Sequence, residues 1–314
     1  MTVTRPAILI AGPTASGKSG LALAIARDYG GEVINADSMQ VYDGLSILTA
    51  RPCAADLAQV PHRLYGVLPP SETCSAARWR DLAAAEMEEC WAAGRLPVVV
   101  GGTGLYLRTL KDGISPVPDI PEPIRDAARA RFDALGNAAF HAELAARDSA
   151  MATRLLPSDS QRMIRAWEVI EATGTSLAQW QAEPPQGAIA ARWFTLAILP
   201  HRQPLYAACD GRFRAMMALG ALEEVRAFTA RGLDPALPVM KALGLRELQA
   251  LLRGEMEEEE AVAAAQQATR NYAKRQMTWF RHQLDASLTI SEQLSESLLA
   301  TIFLKIRHFL LTLA

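Results

Sequence analysis

Apolar residues fall along this chain in two kinds of pattern that alternate. A short apolar run at 7–11 and the mostly apolar stretches 33–36 and 96–100 have the length of buried strands. Between them, residues 21–26 and 76–93 carry helical composition. Strands that alternate with helices call for a parallel sheet with helices on its faces. A proline-rich stretch at 115–123 interrupts the pattern, and the chain then reads as helical to about residue 181. Pro184 and Pro185 make a second break, after which 193–199 returns as a strand. From Leu205 onward the reading is helical again. One long helix opens on the acidic residues 255–260 and ends in basic ones near Arg281, the charge order that suits the helix dipole.

Between the first strand and the first helix stand Gly12, Pro13, Thr14, Ala15, Ser16, Gly17, Lys18 and Ser19. They match G-x-x-x-x-G-K-[ST] in the strand-loop-helix setting that this motif needs. Gly12 and Gly17 give the backbone freedom to aim N–H groups inward, and the helix start near Lys18 adds its positive end. Lys18 supplies a charge to the outer phosphates, and the Ser19 hydroxyl is a ligand for Mg²⁺. The predicted class is therefore α/β, a P-loop NTPase-like parallel sheet flanked by helices, with a helical insertion and a helical C-terminal part. The expected segments are 1–119 for the first part of the core, 120–186 for the insertion, 187–285 for the return to the core with C-terminal helices, and 286–314 for a helical tail.

Composition narrows the setting. Of 314 residues, 50% are hydrophobic and 21% charged, with a net charge of −2, so a nucleic-acid site has to be a local patch. Cys53, Cys74, Cys90 and Cys209 form no C-x-x-C pair, which argues against a zinc site or disulfide scaffold and fits a reducing compartment. There is no signal-peptide pattern, and the apolar tail 298–314 is broken by Lys305, Arg307 and His308. A cytoplasmic monomer with no membrane association is expected.

The strand at 96–100 ends in Gly101-Gly102-Thr103 instead of the acid that motor and switch NTPases place there. Asp37 is the strand-terminal acid of the N-terminal region. That leaves small-molecule kinases and enzymes that use a phosphate leaving group.

The phosphate loop, Asp37-Ser38-Met39-Gln40-Val41-Tyr42, Gly101-Gly102-Thr103-Gly104-Leu105-Tyr106, Gln161-Arg162-Met163-Ile164-Arg165-Ala166 and Tyr272-Ala273-Lys274-Arg275-Gln276-Met277-Thr278-Trp279-Phe280 occur in the order found in tRNA dimethylallyltransferases. The chain resembles that family, in its bacterial form, to about residue 283. The resemblance implies transfer of a dimethylallyl group from dimethylallyl diphosphate to the exocyclic amine of the adenosine just 3′ of the tRNA anticodon, with Mg²⁺. The loop would then hold a diphosphate leaving group. The resemblance also implies tRNA contact by Asp37, Ser38, Met39, Gln40, Thr103, Gln161, Arg162, Met163, Ile164 and Arg165, with Arg125 in a similar role. Lys241 and Arg246 match a further stretch used near tRNA.

The chemistry agrees. An adenine amine is a weak nucleophile that must lose a proton as it attacks an allylic carbon, and a carboxylate is a fit acceptor. Asp37 is the candidate base; its plainer reading is a turn or N-cap aspartate. Lys18, the loop amides, Mg²⁺ and the Thr103 hydroxyl would stabilise charge on the leaving oxygen. For the glycines at 101–104, a tight turn explains them as well as substrate approach does. Ser158 and Gln161 are spaced as a capping box, so a helix is expected to begin near Asp159, burying Met163, Ala166, Trp167 and Ile170. Arg162 and Arg165 share its other face, either around an anion or as a solvated face with Glu168 as partner of Arg165. Arg270, Lys274, Arg275 and Arg281 interleave with Tyr272, Trp279 and Phe280, the parts of an RNA surface, although Tyr272, Arg275 and Trp279 also suit a core-facing stripe.

The chain departs from the family pattern at Leu48 and Arg51, where Gly and Lys are usual, at Leu245, where Tyr is usual, and at Arg63, where the second of two histidines is usual. These bear on substrate affinity more than on the reaction. A free-nucleotide prenyltransferase, a small-molecule kinase and a non-catalytic RNA-binding module are the alternatives.

Overall fold

The computed structural model describes residues 5–292 and 295–312. It divides into two compact units, Met1–Lys111 with Ile189–Ala314, and Asp112–Ala188.

The first unit is built on β1 (Pro6–Ala11), β2 (Gly31–Asn35), β3 (His62–Arg63), β4 (Leu96–Gly101), β5 (Arg192–Ile198) and β6 (Leu288–Ile290). Their order is β3-β2-β4-β1-β5-β6 and every pairing is parallel. In the centre, Ile8 aligns with Val98 on one side and Phe194 on the other. β2 and β4 are buried at every position and β1 at all but its first; β1 and β4 read as apolar runs, whereas β2 also buries Glu32 and Asn35. All carboxyl ends share one edge, where open parallel sheets bind ligands. β3 and β6 were not foreseen: two and three residues are too short to leave a period. The segment after residue 285, expected to be helix only, therefore begins with a strand.

The helices Lys18–Asp28 and Glu296–Leu311 cover one face of the sheet, with Leu21, Ile25, Ile302 and Ile306 buried there. The apolar tail thus packs on the core; its last residues, 313 and 314, lie outside the described residues. On the other face lie Ala76–Ala92 and Gly104–Asp112, with Trp79 stacked on Tyr106 at 4.5 Å. The helices Arg202–Ala218, Ala221–Thr229 and Leu245–Leu252 enclose a further core around Val41, Tyr42 and Leu45.

The second unit packs the helices Glu122–Arg147, Ser149–Arg154, Ser160–Thr173 and Leu177–Trp180 around Phe140, Leu144, Met163 and Trp167. The expected capping box is absent. Asp159 is the N-cap, without a side-chain cap bond, and its carboxylate instead accepts the Leu156 N–H at 3.2 Å. Met163, Ala166 and Trp167 are buried, but Ile170 is only half-buried and Val169 takes its place in the core.

Candidate functional site

The loop after β1 turns back into the helix at Lys18. Gly17, its N-cap, is left-handed (φ 84°), and so is Ala15 (φ 63°). Gly12 is needed for a different reason than expected. Its φ is not positive, but a Cβ there would lie 2.8 Å from Ser16 Oγ and 2.9 Å from the Ile198 carbonyl. Lys18 Nζ donates to the Pro13 carbonyl at 3.2 Å. Burial dehydrates the ammonium and pushes its pKa down to about 8, against the opposing pull of Asp37. The Ser16 hydroxyl is buried without a partner among the described residues. That of Ser19 is exposed at the first helical turn and has no hydrogen-bond partner among the described residues.

The sequence assigns no role to two residues of the site. Arg212, on the helix Arg202–Ala218, reaches the Thr14 hydroxyl, and burial lowers its pKa. Gln276 Nε2 donates to the Gly102 carbonyl at 2.8 Å, and its Oε1 accepts the Thr14 N–H at 2.8 Å. Gln276 was visible only as part of a basic and aromatic stretch. No motif contains Arg212.

Asp37 follows the end of β2. Its Oδ1 accepts the N–H groups of Met39 at 2.9 Å and Gln40 at 3.4 Å, so the turn role is real. Its other oxygen has no partner among the described residues and Asp37 lines one pocket with Thr14, Lys18, Ser19 and Arg212. Asn35 fixes the turn by accepting the Asp37 N–H at 2.9 Å and donating to the Asp37 carbonyl at 3.2 Å. Thr103 Oγ1 accepts the Ser38 N–H at 3.0 Å and donates to Ser38 Oγ at 3.3 Å. Beside it lies Tyr272, whose phenol is raised in pKa chiefly by burial. The Gln40 amide donates to the carbonyls of Thr49 and Ala50, each at 2.8 Å, which fixes a further wall of the pocket.

The glycines at 101–104 serve close approach. A Cβ at Gly101 would lie 2.0 Å from the Ala36 carbonyl, one at Gly102 2.2 Å from Gln276, and one at Gly104 2.4 Å from the Trp279 ring. Trp279 therefore packs on Gly104, and part of the aromatic stripe is structural. Leu48 and Leu245 are buried, so both departures from the family pattern are core positions. Glu224 holds the loop before Thr49: its carboxylate accepts the N–H groups of Ser46, Ile47 and Leu48 at 2.7–2.8 Å. Arg63 pairs with the buried Glu32 at 2.7 Å.

Lys241, Arg246, Lys274, Arg275 and Arg281 are exposed and make no ion pair among the described residues. Arg275 stacks over the Tyr272 ring at 5.6 Å, whereas Arg270 pairs with Asp210 at 2.5 Å. In the second unit Gln161 and Arg162 are exposed, while Arg165 pairs with Glu168 at 3.1 Å. Arg125 lies 3.8 Å from Glu122, and its Nε is buried without a partner among the described residues. Met163 needs correcting as a contact residue: its side chain is fully buried in the core of that unit and offers RNA no surface. Ile164, half-buried, packs against the same core.

Among the described residues no three His, Cys, Asp or Glu side chains gather into a metal cage. The oxygen donors of Ser19 and Asp37 in one pocket still fit Mg²⁺, which keeps several waters and shares substrate phosphate oxygens.

The fold and pocket define a phosphate-loop α/β protein with a carboxylate beside its anion cradle. The IPP transferase profile matches residues 40–283, and the isopentenyl transferase profile matches residues 6–67. The chain is 64% identical over 311 residues, 99% of each chain, to a tRNA dimethylallyltransferase of Paramagnetospirillum magneticum. It is 60% identical over 291 residues, 91% of this chain and 92% of the relative, to one of Rhodospirillum centenum. Among solved structures, a full-length tRNA isopentenylpyrophosphate transferase from Bacillus halodurans matches with a TM-score of 0.70 at 31% identity, covering 98% of both chains. A eukaryotic dimethylallyltransferase acting on tRNA matches with a TM-score of 0.75 at 27% identity, over 92% of this chain and 75% of the other. The chain belongs to the tRNA dimethylallyltransferase family.

Proposed function

We propose that this protein transfers a dimethylallyl group from dimethylallyl diphosphate to the N6 amine of the adenosine 3′-adjacent to the tRNA anticodon, releasing diphosphate. One observation carries the reading: Asp37, one of whose carboxylate oxygens has no partner among the described residues, lines the pocket that also holds Lys18, Ser19 and Arg212. That arrangement sets a proton acceptor beside an anion cradle. The adenine nitrogen attacks C1 of the prenyl group as the bond from C1 to the bridging oxygen breaks. Asp37 takes the amine proton. Lys18, Arg212 and the loop N–H groups stabilise the departing diphosphate, with Thr103 available to the same transition state. Ser19 would hold Mg²⁺, which when bound would add to the neutralisation of the diphosphate. The exposed Lys241, Arg246, Lys274, Arg275 and Arg281, with Arg125, Arg162 and Arg165 of the second unit, would neutralise tRNA phosphates, and the Gln161 amide would hydrogen-bond the RNA.

The relatives named above favour tRNA over a free nucleotide as acceptor. The test is incubation with unmodified tRNA bearing that adenosine, Mg²⁺ and dimethylallyl diphosphate, followed by nucleoside mass spectrometry. The expected result is one dimethylallyl group on the adenosine. Prenylation of free AMP but not of tRNA, or phosphate transfer from ATP, would overturn the proposal. Among the described residues no helix is long and apolar enough to cross a membrane, and a monomer acting in the cytoplasm fits this reading.

A further inference from the structure

Neither the phosphate loop nor any proposed RNA contact includes Glu224, yet its carboxylate accepts from four donors. Oε1 takes the Ser46 N–H at 2.7 Å, the Ser46 hydroxyl at 2.8 Å and the Ile47 N–H at 2.8 Å, and Oε2 takes the Leu48 N–H at 2.8 Å. These donors stand 176–178 residues away in sequence. Hydrogen bonds to a charged acceptor are the strong ones. The carboxylate is itself firmly mounted. Glu224 lies in the first turn of the helix Ala221–Thr229, and Ala221, Val225 and Phe228 of that helix are buried in the core around Tyr42.

What Glu224 holds is one helix-like turn. The Ala50 N–H donates to the Ile47 carbonyl at 3.0 Å, and the Arg51 N–H to the Ser46 carbonyl at 2.9 Å. With Ala50 left-handed (φ 55°), this is a Schellman closure. The first N–H groups of such a turn have no acceptor inside it, and Glu224 supplies one. The closure satisfies the carbonyls of Ser46 and Ile47 and leaves those of Thr49 and Ala50 to another donor. Gln40 Nε2 donates to both, at 2.8 Å each. A primary amide has two N–H groups, so the turn uses both and fixes which end of the Gln40 amide faces it. The backbone of Gln40 is held as well. Its N–H donates to Asp37 Oδ1 at 3.4 Å, and its carbonyl accepts the Gly66 N–H at 2.9 Å.

We propose that Glu224 is a positioning residue for the acceptor RNA: it fixes the turn Ser46–Ala50, and the turn aims the Gln40 side chain at the tRNA. Glu224 touches neither substrate in this scheme and acts through Gln40 alone. The inference rests on the prenyl-transfer reading and on the tRNA contact of Gln40 within it.

The test is a double-mutant cycle in steady-state kinetics on unmodified tRNA, with wild type, Glu224→Ala, Gln40→Ala and the double variant. Glu224→Ala should lower kcat/KM for tRNA about tenfold, with KM for dimethylallyl diphosphate within about twofold of wild type. The double variant should be no slower than Gln40→Ala, because the loss runs through that side chain. Glu224→Gln keeps an oxygen for Ser46 and Ile47 but sets an amide N–H₂ against the Leu48 N–H, so its rate should fall between wild type and Glu224→Ala. It carries the test if circular dichroism shows Glu224→Ala unfolded. Losses that multiply in the double variant would overturn the assignment, since a residue that only stabilises the fold has no reason to couple to Gln40. Wild-type kcat/KM for tRNA in folded Glu224→Ala or in Gln40→Ala, or an equal rise in the KM of the donor, would overturn it too. Failure of wild type to prenylate tRNA is a separate result: it sinks the prenyl-transfer reading, and this inference with it.

Discussion

The side-chain oxygen of Gln276 accepts the backbone N–H of Thr14 at 2.8 Å, across 262 residues of sequence. The other end of the same amide donates to the Gly102 carbonyl, so one buried side chain ties the phosphate loop to the loop after β4. Replacing it with Leu leaves the buried Gly102 carbonyl without this donor, at about 1–3 kcal/mol, and the half-buried Thr14 N–H without its acceptor, at less. Gln276→Leu is expected to lower kcat/KM for the prenyl donor by roughly tenfold or more. Isothermal titration with a non-reactive donor analogue should show weakened binding, while circular dichroism shows the fold retained. Wild-type donor affinity in a folded variant would mean that the bridge does not position the loop.

Asp37 has two duties that a pair of variants separates. Asp37→Asn keeps an oxygen for the Met39 and Gln40 amides but cannot take a proton; Asp37→Ala loses both. Single-turnover rates should fall about 10²–10⁴-fold in Asp37→Asn, with tRNA affinity and melting temperature near wild type. Asp37→Ala should be as slow and also less stable. A near-normal rate for Asp37→Asn would remove Asp37 from the proton step.

Lys18 sets a trade between stability and function. Its folded pKa of about 8 lies below the free value of 10.5, so the unfolded chain binds more protons between those values. Stability from this group therefore rises with pH across that window, and below it the buried charge is a net cost. Lys18→Met is expected to be more stable than wild type near neutral pH, by on the order of 2 kcal/mol, with the gap closing towards pH 10.5. The same variant should lose donor binding. In wild type, kcat/KM for the donor should decline as pH rises through about 8, as the free enzyme's ammonium loses its proton. Urea titrations at several pH values check the first half, and a pH–rate profile checks the second.

How much could be read before folding depended on whether a residue's neighbours lie close in sequence. The phosphate loop was legible because strand, glycines, lysine and helix follow one another within a few residues, and β1 and β4 because each is an apolar run. Arg212 was not legible. It joins the site only when a helix 198 residues away in sequence is laid against Thr14. Gln276 sat in plain view, but a neutral amide among arginines and aromatics gives no sign that both its ends are used. Met163 shows the converse limit. The motif that marks Arg162 and Arg165 also contains the core residue on which their helix packs, and only burial separates the two kinds.

The two arginines of that helix differ in a way that sets the last prediction. Arg162 is exposed with no ion-pair partner among the described residues, whereas Arg165 is paired with Glu168. A free guanidinium gives its full charge to an RNA phosphate. A paired one has to be shared, and the exchange of partners returns less. Arg162→Ala should therefore weaken tRNA binding more than Arg165→Ala, and should reduce the slope of log affinity against log salt by about one. Glu168→Gln, which releases Arg165, should strengthen binding at low salt. Filter binding of one unmodified tRNA across a salt series measures all three. If both arginine variants keep the wild-type slope, this helix face does not meet the phosphate backbone.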